Sequence, residues 1–229
     1  MRCLKEVIRF LLNRLPSSYI FMFHHVTDCP KIEKSKCKLS WGYFVSLMEE
    51  YCGKVAPLSE VMAKPSRKKI AVTFDDGLED VYTIAYPFLK SKGIPFTIFV
   101  ITDFLNQPGY LTTAQLLELA SDELVTIGSH GVTHKIFPLL NSAEKEQELR
   151  ESKNVLFHLI GKEINFFAYS HGQYDKETLK LVSRYYKYAL STISLPLNCL
   201  SKRRKLIPRV NFDNCSYIMN NQKIKEKRV

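Results

Sequence analysis

Two short stretches of the chain carry side chains whose types and spacing suit metal-assisted hydrolysis. Asp75 and Asp76 are adjacent carboxylates that end an apolar run and are followed by Gly77. His130 and His134 lie four residues apart, directly after another apolar run. Two imidazoles and one carboxylate can hold a divalent ion and leave positions open for water and substrate, as a catalytic site requires. The spacing predicts one catalytic metal site.

The local backbone decides whether these side chains can meet. Adjacent strand residues face opposite ways, so Asp75 and Asp76 can share a site only if the chain bends, and Gly77 permits a bend. Taken alone, the Asp-Asp-Gly sequence is equally typical of a surface turn. Residues four apart share one face of a helical turn, so we expect such a turn to bring His130 and His134 to one ion. With no Glu between these histidines, the helical zinc-protease motif is excluded.

The elements that must position these residues alternate along the chain. β-rich runs occupy residues 19–24, 70–75, 96–102, 124–129, 165–170, 188–192 and 206–212, and helical patterns occupy 41–51, 79–92, 113–121, 143–160 and 176–186. We expect Thr112 or Thr113 and Ser142 to cap two of these helices. The alternation predicts an α/β fold with about seven parallel strands, and that number favours a barrel, whose strand ends share one mouth.

Composition is consistent with one folded domain over residues 1–229, with its core at about 17–212. Hydrophobic residues make up 45% and charged residues 24% of the chain, which is typical of a globular protein with one sizeable core. The six cysteines form no Cys-x-x-Cys pair, so we expect reduced thiols and a cytoplasmic protein.

The net charge of +10 is concentrated near the chain ends. Residues 202–205 form a basic run, and a basic tail follows residue 222. Residues 1–15 predict an amphipathic basic helix without the apolar centre of a signal peptide. That helix either packs on the domain or lies on an anionic membrane, which would put the protein at the inner face of the membrane. The basic runs are either solvated surface or a contact for an anionic partner.

Thr73-Phe74-Asp75-Asp76-Gly77 and the stretch from Ser129 to His134 together resemble the first two motifs of the polysaccharide deacetylases. These enzymes contain the NodB-homology domain of carbohydrate esterase family 4, and the resemblance spans residues 21 to about 212. It implies a distorted (β/α) barrel, with Asp75 as catalytic base and Asp76, His130 and His134 as metal ligands. A metal would then polarise the amide carbonyl and water while Asp75 takes a proton.

The chain departs from the family pattern at the third motif. The family has an Arg and a Pro-Tyr there, or Tyr-Pro-Tyr-Gly in one branch, whereas this chain reads Tyr169-Ser170-His171-Gly172. We expect Tyr169 and His171 to line the substrate groove. The departure at Ser170 and His171 alters one groove wall and with it the choice of substrate.

A proton donor for the departing amine is also expected. The family's late Leu-x-His motif is missing, but Phe21–Val26 resembles the start of a circularly permuted branch that acts on exported poly-N-acetylglucosamine. On that resemblance His24 is the general acid, with His171 as its rival. Arg209 lies at another predicted strand end, and we expect it to orient Asp75 in place of the missing third-motif Arg. Alternatively, His24 and His25 are ordinary strand residues; strand alternation points His25 away from the mouth.

These observations predict a metal-dependent hydrolase that removes an N-acetyl or N-formyl group from an amino sugar in glycan biosynthesis. Zinc is the default ion for two His and one Asp, and cobalt or nickel could also bind. The substrate could be a nucleotide-linked or lipid-linked sugar, which the positive charge favours, or a finished cell-surface polysaccharide. The alternatives are a non-catalytic glycan-binding protein and, with less support because no nucleic-acid-binding motif accompanies the charge, a nucleic-acid-binding protein.

Overall fold

The computed structural model describes residues 18–28, 37–65, 68–194, 197 and 204–213. Nine strands lie in these ranges: β1 (Tyr19–Phe23), β2 (His25–Val26), β3 (Lys38–Leu39), β4 (Ile70–Phe74), β5 (Phe96–Val100), β6 (Val125–Ser129), β7 (Phe166–Ala168), β8 (Tyr188–Leu190) and β9 (Val210–Asn211). Seven of them form one parallel sheet in the order β8-β7-β6-β5-β4-β1-β9, and β2 pairs with β3 separately. This is the curled seven-stranded sheet of the distorted (β/α) barrel that the sequence predicts.

Six α-helices connect the described strands: α1 (Trp41–Tyr51), α2 (Leu58–Ala63), α3 (Tyr86–Ser91), α4 (Thr113–Ser121), α5 (Ser142–Ile160) and α6 (Lys176–Tyr185). A π-helical turn, Val81–Ala85, leads directly into α3. Thr112 caps α4 in a capping box with Gln115, as predicted. The predicted cap of α5 was wrong by one residue, because Asn141 accepts the amide hydrogen of Glu144 and Ser142 is already helical.

The strands are apolar because both faces of the sheet are covered. Every residue of β1, β4 and β5 is buried, as expected for parallel strands between helices. Aromatic rings fill the interior beside the mouth: the ring centroid of Phe23 lies 5.6 Å from that of Phe74 and 5.1 Å from that of Phe212. This packing fixes the strands whose ends carry the predicted site residues.

The segment 204–213 connects the two edges of the sheet. The amide of Ile207 donates to Ala189 of β8 at 2.9 Å, and Ser191 donates back to Ile207 at 2.8 Å. A few residues later β9 pairs with β1, and the amide of Phe212 donates to Met22 at 3.1 Å. This segment therefore bridges β8 and β1, and it carries Arg209 and Asp213 to the centre of the molecule.

Two sequence predictions lie outside the described residues: the N-terminal helix over residues 1–15 and the basic tail. The extent of the single domain also stays a prediction. Among the cysteines that the structure describes, Cys37 and Cys52 are exposed and neither forms a disulfide. None of the described helices has the length and apolarity needed to cross a bilayer.

Candidate active site

The predicted site residues meet at the carboxyl ends of the strands. His24 follows β1, Asp75 and Asp76 follow β4, and His130 follows β6. Parallel strands deliver the residues that follow them to the same mouth of a barrel. The side chains gather there for that reason, although more than a hundred residues separate His24 from His130.

Asp76, His130 and His134 form one cluster. Oδ1 of Asp76 lies 3.3 Å from Nε2 of His130 and 3.5 Å from Nε2 of His134. Nδ1 of His130 lies 2.8 Å from the carbonyl oxygen of Ala168. Because a carbonyl oxygen can only accept, Nδ1 carries a hydrogen, and the neutral form of the ring therefore presents the lone pair of Nε2 to the cluster. One ligand atom from each of the three residues lies within 4.8 Å of the others.

The cluster has the charge and bonding state of a cation site. Oδ1 of Asp76 is buried and has no hydrogen-bond partner among the described residues. Burial raises the pKa of Asp76, but His130 and the charges of His24 and His134 lower it well below its ordinary value. Burial, and the charge that His130 carries when it is protonated, lower the pKa of His134 to about 4. The carboxylate is therefore ionised and His134 is neutral near pH 7, which are the states in which both bind metal.

The backbone that presents these ligands is not the predicted one. His130 and His134 do not lie on a helical turn: the segment between them is a loop with φ +89° at Gly131 and +60° at His134. Asp76 also has a positive φ, +71°, so the bend that separates it from Asp75 begins one residue before Gly77. Positive φ is uncommon for residues other than glycine and is retained where surrounding structure enforces it.

Glu148 of α5 holds the histidine loop. Its Oε2 accepts the amide hydrogens of Val132 at 2.7 Å and Thr133 at 3.0 Å, and its Oε1 accepts the Thr133 hydroxyl. Glu148 is buried. Glu148 is not among the residues predicted from the sequence, because nothing in the helical pattern of α5 distinguishes it from its neighbours.

Asp75 forms a buried ion pair with Arg209. Its two oxygens accept from Nη1 and Nη2 of Arg209 at 2.6 and 2.7 Å, and Nε of Arg209 donates to the carbonyl of Ser191 at 3.0 Å. Burial raises the pKa of Asp75, but the charges of Arg209, His130 and His24 lower it. The structure thus places Arg209 where the sequence expected it, and its part in catalysis stays a prediction.

His24 lies between two carboxylates. Its Nδ1 is 2.6 Å from Oδ2 of Asp213, and its Nε2 is 3.9 Å from Oδ2 of Asp76. Burial lowers the pKa of His24, but the hydrogen bond to Asp213 and the charges of Asp75, Asp213 and Asp76 raise it to about 9. Asp213 is not among the site residues predicted from the sequence. It follows the β-rich run at 206–212, so its place at a strand end, where functional groups collect, was a signal that could have indicated it.

The remaining candidates lie at or outside the edge of the cluster. His25 pairs with Asp80, with 3.0 Å between Nδ1 and Oδ2. His171 is exposed, and its ring centroid lies 4.3 Å from that of His134. Tyr169, which the sequence places on the groove wall, has a buried side chain whose hydroxyl donates to the carbonyl of Lys205 at 2.8 Å.

Comparison with known proteins assigns a family to this arrangement. The family model for polysaccharide deacetylases matches residues 62–189, more than half of the chain. YxkH of Bacillus subtilis (strain 168) is 34% identical to this chain over 121 residues, and these cover 53% of this chain and 43% of that protein. The name of YxkH assigns it provisionally to the polysaccharide deacetylases. The poly-beta-1,6-N-acetyl-D-glucosamine N-deacetylase of Staphylococcus epidermidis is 22% identical over 200 residues, 79% of this chain and 65% of that protein.

Among solved structures, the Streptococcus pyogenes deacetylase PplD in complex with acetate matches with a TM-score of 0.79 at 22% identity. That match covers 87% of this chain and 93% of that one. The likeness supports the fold described above. The chain covers less than two thirds of the length of the two curated relatives named here.

Proposed function

Because the chain belongs to the polysaccharide deacetylase family, we propose that it is a metal-dependent hydrolase that removes an N-acetyl group from an amino sugar. The observation that supports this most is the meeting of three groups at one mouth: the Asp75–Arg209 pair, the Asp76–His130–His134 cluster and the His24–Asp213 pair. Together they offer a base, a cation site and an acid, which are the groups that amide hydrolysis requires.

Asp75 is the proposed base. The bonds from Arg209 use one lone pair on each carboxylate oxygen and fix the plane of the group, and each oxygen retains a second lone pair. One of these takes the proton of the water that attacks the amide carbonyl. Arg209 orients the carboxylate and keeps it ionised, so it is a positioning residue.

His24 is the proposed acid. Amide cleavage expels an amine, which must receive a proton as the carbon–nitrogen bond breaks. Because Nδ1 faces Asp213, Nε2 is the atom that can give its proton to the departing nitrogen. Its raised pKa keeps the imidazole protonated at neutral pH. The products are acetate and the free amino sugar.

The cation would be held by Asp76, His130 and His134. The unpartnered Oδ1 of Asp76, the lone pair of His130 and the neutral His134 fit a divalent ion with open positions. When bound, such an ion supplies Lewis-acid polarisation of the amide carbonyl and of water. Zinc suits this donor set, and cobalt or nickel would suit it as well.

A panel of substrates is needed to identify the acyl group that is removed and the carrier to which the sugar is attached. Acetate and formate release should be measured on β-1,6-linked and β-1,4-linked N-acetylglucosamine oligomers, UDP-N-acetylglucosamine and a polyprenyl-linked N-acetylglucosamine, each with and without chelator. The β-1,6 oligomers are included because one relative is named for that polymer. We expect chelator-sensitive acetate release from at least one substrate; no release from any of them would contradict the proposal.

Metal content tests the ligand assignment separately. We expect the double variant His130→Ala, His134→Ala to lose one equivalent of bound metal, because one remaining protein ligand rarely holds zinc firmly. The control is His158→Ala on α5, an exposed residue that bonds to Asn154, and it should keep its metal. Full metal content in the double variant by elemental analysis would show that the ion binds elsewhere.

A further inference from the structure

A second group of metal-ligating side chains lies directly beside the first. His24, Cys37 and Asp213 each offer one ligand atom, and these atoms lie within 4.8 Å of one another. None of the three belongs to the Asp76 cluster. The two groups are neighbours, because Nε2 of His24 lies 3.9 Å from Oδ2 of Asp76.

Backbone pairing holds these three residues together. Cys37 directly precedes β3, and its carbonyl accepts the amide hydrogen of His25 at 3.1 Å, next to His24. Asp213 follows β9, which pairs with β1, the strand that His24 follows. Three separate segments of the chain therefore converge on one point through main-chain bonds, so the group does not depend on long mobile side chains.

One carboxylate oxygen at this point is open to a ligand. Oδ1 of Asp213 is buried and has no hydrogen-bond partner among the described residues. Oδ2 of Asp213 lies 2.6 Å from Nδ1 of His24, so Oδ1 is the oxygen that is left for a ligand. A buried polar atom without a partner is costly. Cys37 is exposed, which leaves a route from solvent for an incoming ion.

We propose that His24, Cys37 and Asp213 form a second cation site, one that takes a soft divalent ion such as zinc or cadmium. An imidazole, a thiolate and a carboxylate are all zinc ligands, and the thiolate selects soft ions over magnesium and calcium. Binding forms a metal–sulfur bond and releases the Cys37 thiol proton to solvent, and a ring proton of His24 leaves in the same way if the ring is charged.

Occupation of this site would stop catalysis. An ion bound to Nδ1 of His24, the nitrogen that faces Asp213, keeps the ring neutral, and the remaining Nε2 hydrogen is a far weaker acid than that of an imidazolium. The departing amine then lacks an effective proton donor, so excess zinc becomes an inhibitor through a site distinct from the one that supports activity. This consequence rests on the proposed function, whereas the binding of the ion does not.

Cadmium titration tests the site without any assay of turnover. The Asp76 cluster offers no sulfur, so the ultraviolet charge-transfer band of cadmium–thiolate reports on cysteine ligation alone. With the full chain preloaded with one equivalent of zinc, we expect a band that Cys37→Ser abolishes and Cys52→Ser retains. Cys52 is also exposed and outside a disulfide, which makes it the matched control. A band that survives Cys37→Ser, or no band in the wild type, would overturn the proposal.

The variant Asp213→Asn tests the site without changing Cys37, so a folding defect caused by Cys37→Ser cannot be mistaken for the loss of a ligand. This variant leaves the thiol intact but removes one ligand charge, so the cadmium affinity should fall by about tenfold or more. An unchanged affinity would show that Asp213 is not a ligand. Far-ultraviolet circular dichroism of each variant, compared with the wild type, verifies that the fold is retained.

Inhibition by excess zinc links the site to activity. In the wild type, turnover at excess zinc should be lower than turnover at one equivalent by about tenfold or more, which is within the usual contribution of a general acid. Cys37→Ser should restore the ratio of these two turnover rates to near one, and Cys52→Ser should not. An equal fall in the Cys37→Ser variant would remove the inhibitory role. A cysteine-dependent cadmium band in a chain that hydrolyses no substrate would instead retain the site and reject the proposed function.

Discussion

Asp75 and Asp76 are adjacent in the chain, yet their carboxylates have different partners. Asp75 faces Arg209 in a fully paired arrangement, and Asp76 faces two imidazoles through an oxygen that makes no hydrogen bond to a described residue. The positive φ of Asp76 turns the chain between them. One dipeptide can therefore supply a base and a metal ligand, which is the division of labour that the family resemblance implies.

Amide substitutions separate these two roles. Asp75→Asn should keep the metal and lower turnover by roughly two to four powers of ten, the usual worth of a general base. Asp76→Asn should lower metal affinity as well, because the neutral amide is a weaker ligand. Metal content and turnover are measured on both variants at saturating substrate. Equal loss of metal in both would contradict the assignment.

The pair of His24 and Asp213 predicts a particular pH profile. A general acid works while protonated, so activity should fall as pH rises through the pKa of His24. The charge of Asp213 raises that pKa. Asp213→Asn should therefore move the alkaline limb of kcat/KM to lower pH, by about 1 to 2 pH units for the loss of one adjacent charge.

The matched control is Asp80→Asn, which removes the carboxylate beside His25. Its alkaline limb should stay in place, and His25→Ala should reduce turnover far less than His24→Ala. If the limb stayed in place in the Asp213→Asn variant, another group would be the acid. His171 would be that group if His171→Ala abolished turnover and His24→Ala did not.

Loops rather than helices present the metal ligands. The stretch between His130 and His134 crosses the mouth with two positive φ angles, and Glu148 on α5 accepts two of its amide hydrogens. A buried carboxylate with such partners fixes the loop relative to the helix. The position of His134 therefore depends on a residue that does not itself belong to the metal cluster.

Glu148→Gln should weaken metal binding without removing a ligand. The amide nitrogen of Gln cannot accept a hydrogen, so at least one loop contact is lost. Loss of a residue that orients ligands typically lowers metal affinity by about 10- to 100-fold. Glu151→Gln, on the same helix, is the control, because its carboxylate accepts from Gln147 and not from the loop. Metal dissociation constants by competition with a chelator compare the two, and equal values would show that the tether is dispensable.

Sequence patterns predicted the regular elements and left the irregular ones open. All seven runs proposed as strands contain strands of the barrel, since apolar runs with turn signals define buried parallel strands. The short α2 and the two-residue strands β2 and β3 were missed because they are too short to show periodicity. The four-residue spacing of His130 and His134 suggested a helical turn, but the positive φ at Gly131 and His134 gives a loop.

The side-chain contacts between residues far apart in the chain were the hardest features to predict from the sequence. Pairing of Asp213 with His24 depends on where the last strand inserts, and that follows from barrel closure over the whole chain. Arg209 was expected near Asp75 because it lies at a strand end, and no pattern in the sequence could give its two-pronged contact. Local periodicity contains no information on such pairings.

The barrel is closed by the segment that also completes the site. Residues 204–213 bond to β8 at one end and to β1 at the other. Arg209 lies between those two contacts and is buried, with Asp75 and the carbonyl of Ser191 as its acceptors. The ion pair thus ties the last described strand to the centre of the sheet, and stability and catalysis depend on the same side chain.

Arg209→Met should therefore destabilise the whole molecule. Removal of one member of a buried ion pair leaves the other charge uncompensated and typically costs about 3–5 kcal/mol. Asp75 has a pKa below its ordinary value in the folded state, so its contribution is present at neutral pH and is lost as pH falls through that folded-state pKa. The deficit of the variant, measured by urea unfolding, should be largest at neutral pH and smaller in acid.

Two further variants make this test specific. Asp75→Asn combined with Arg209→Met removes the stranded charge and should recover part of the lost stability, because a neutral pair costs less to bury than a lone carboxylate. Arg204→Met, in the same segment but exposed and 5.9 Å from the ring centroid of Tyr188, should cost less than about 1 kcal/mol. If Arg209→Met were no more destabilising than Arg204→Met, the ion pair would not be what holds the closing segment in place.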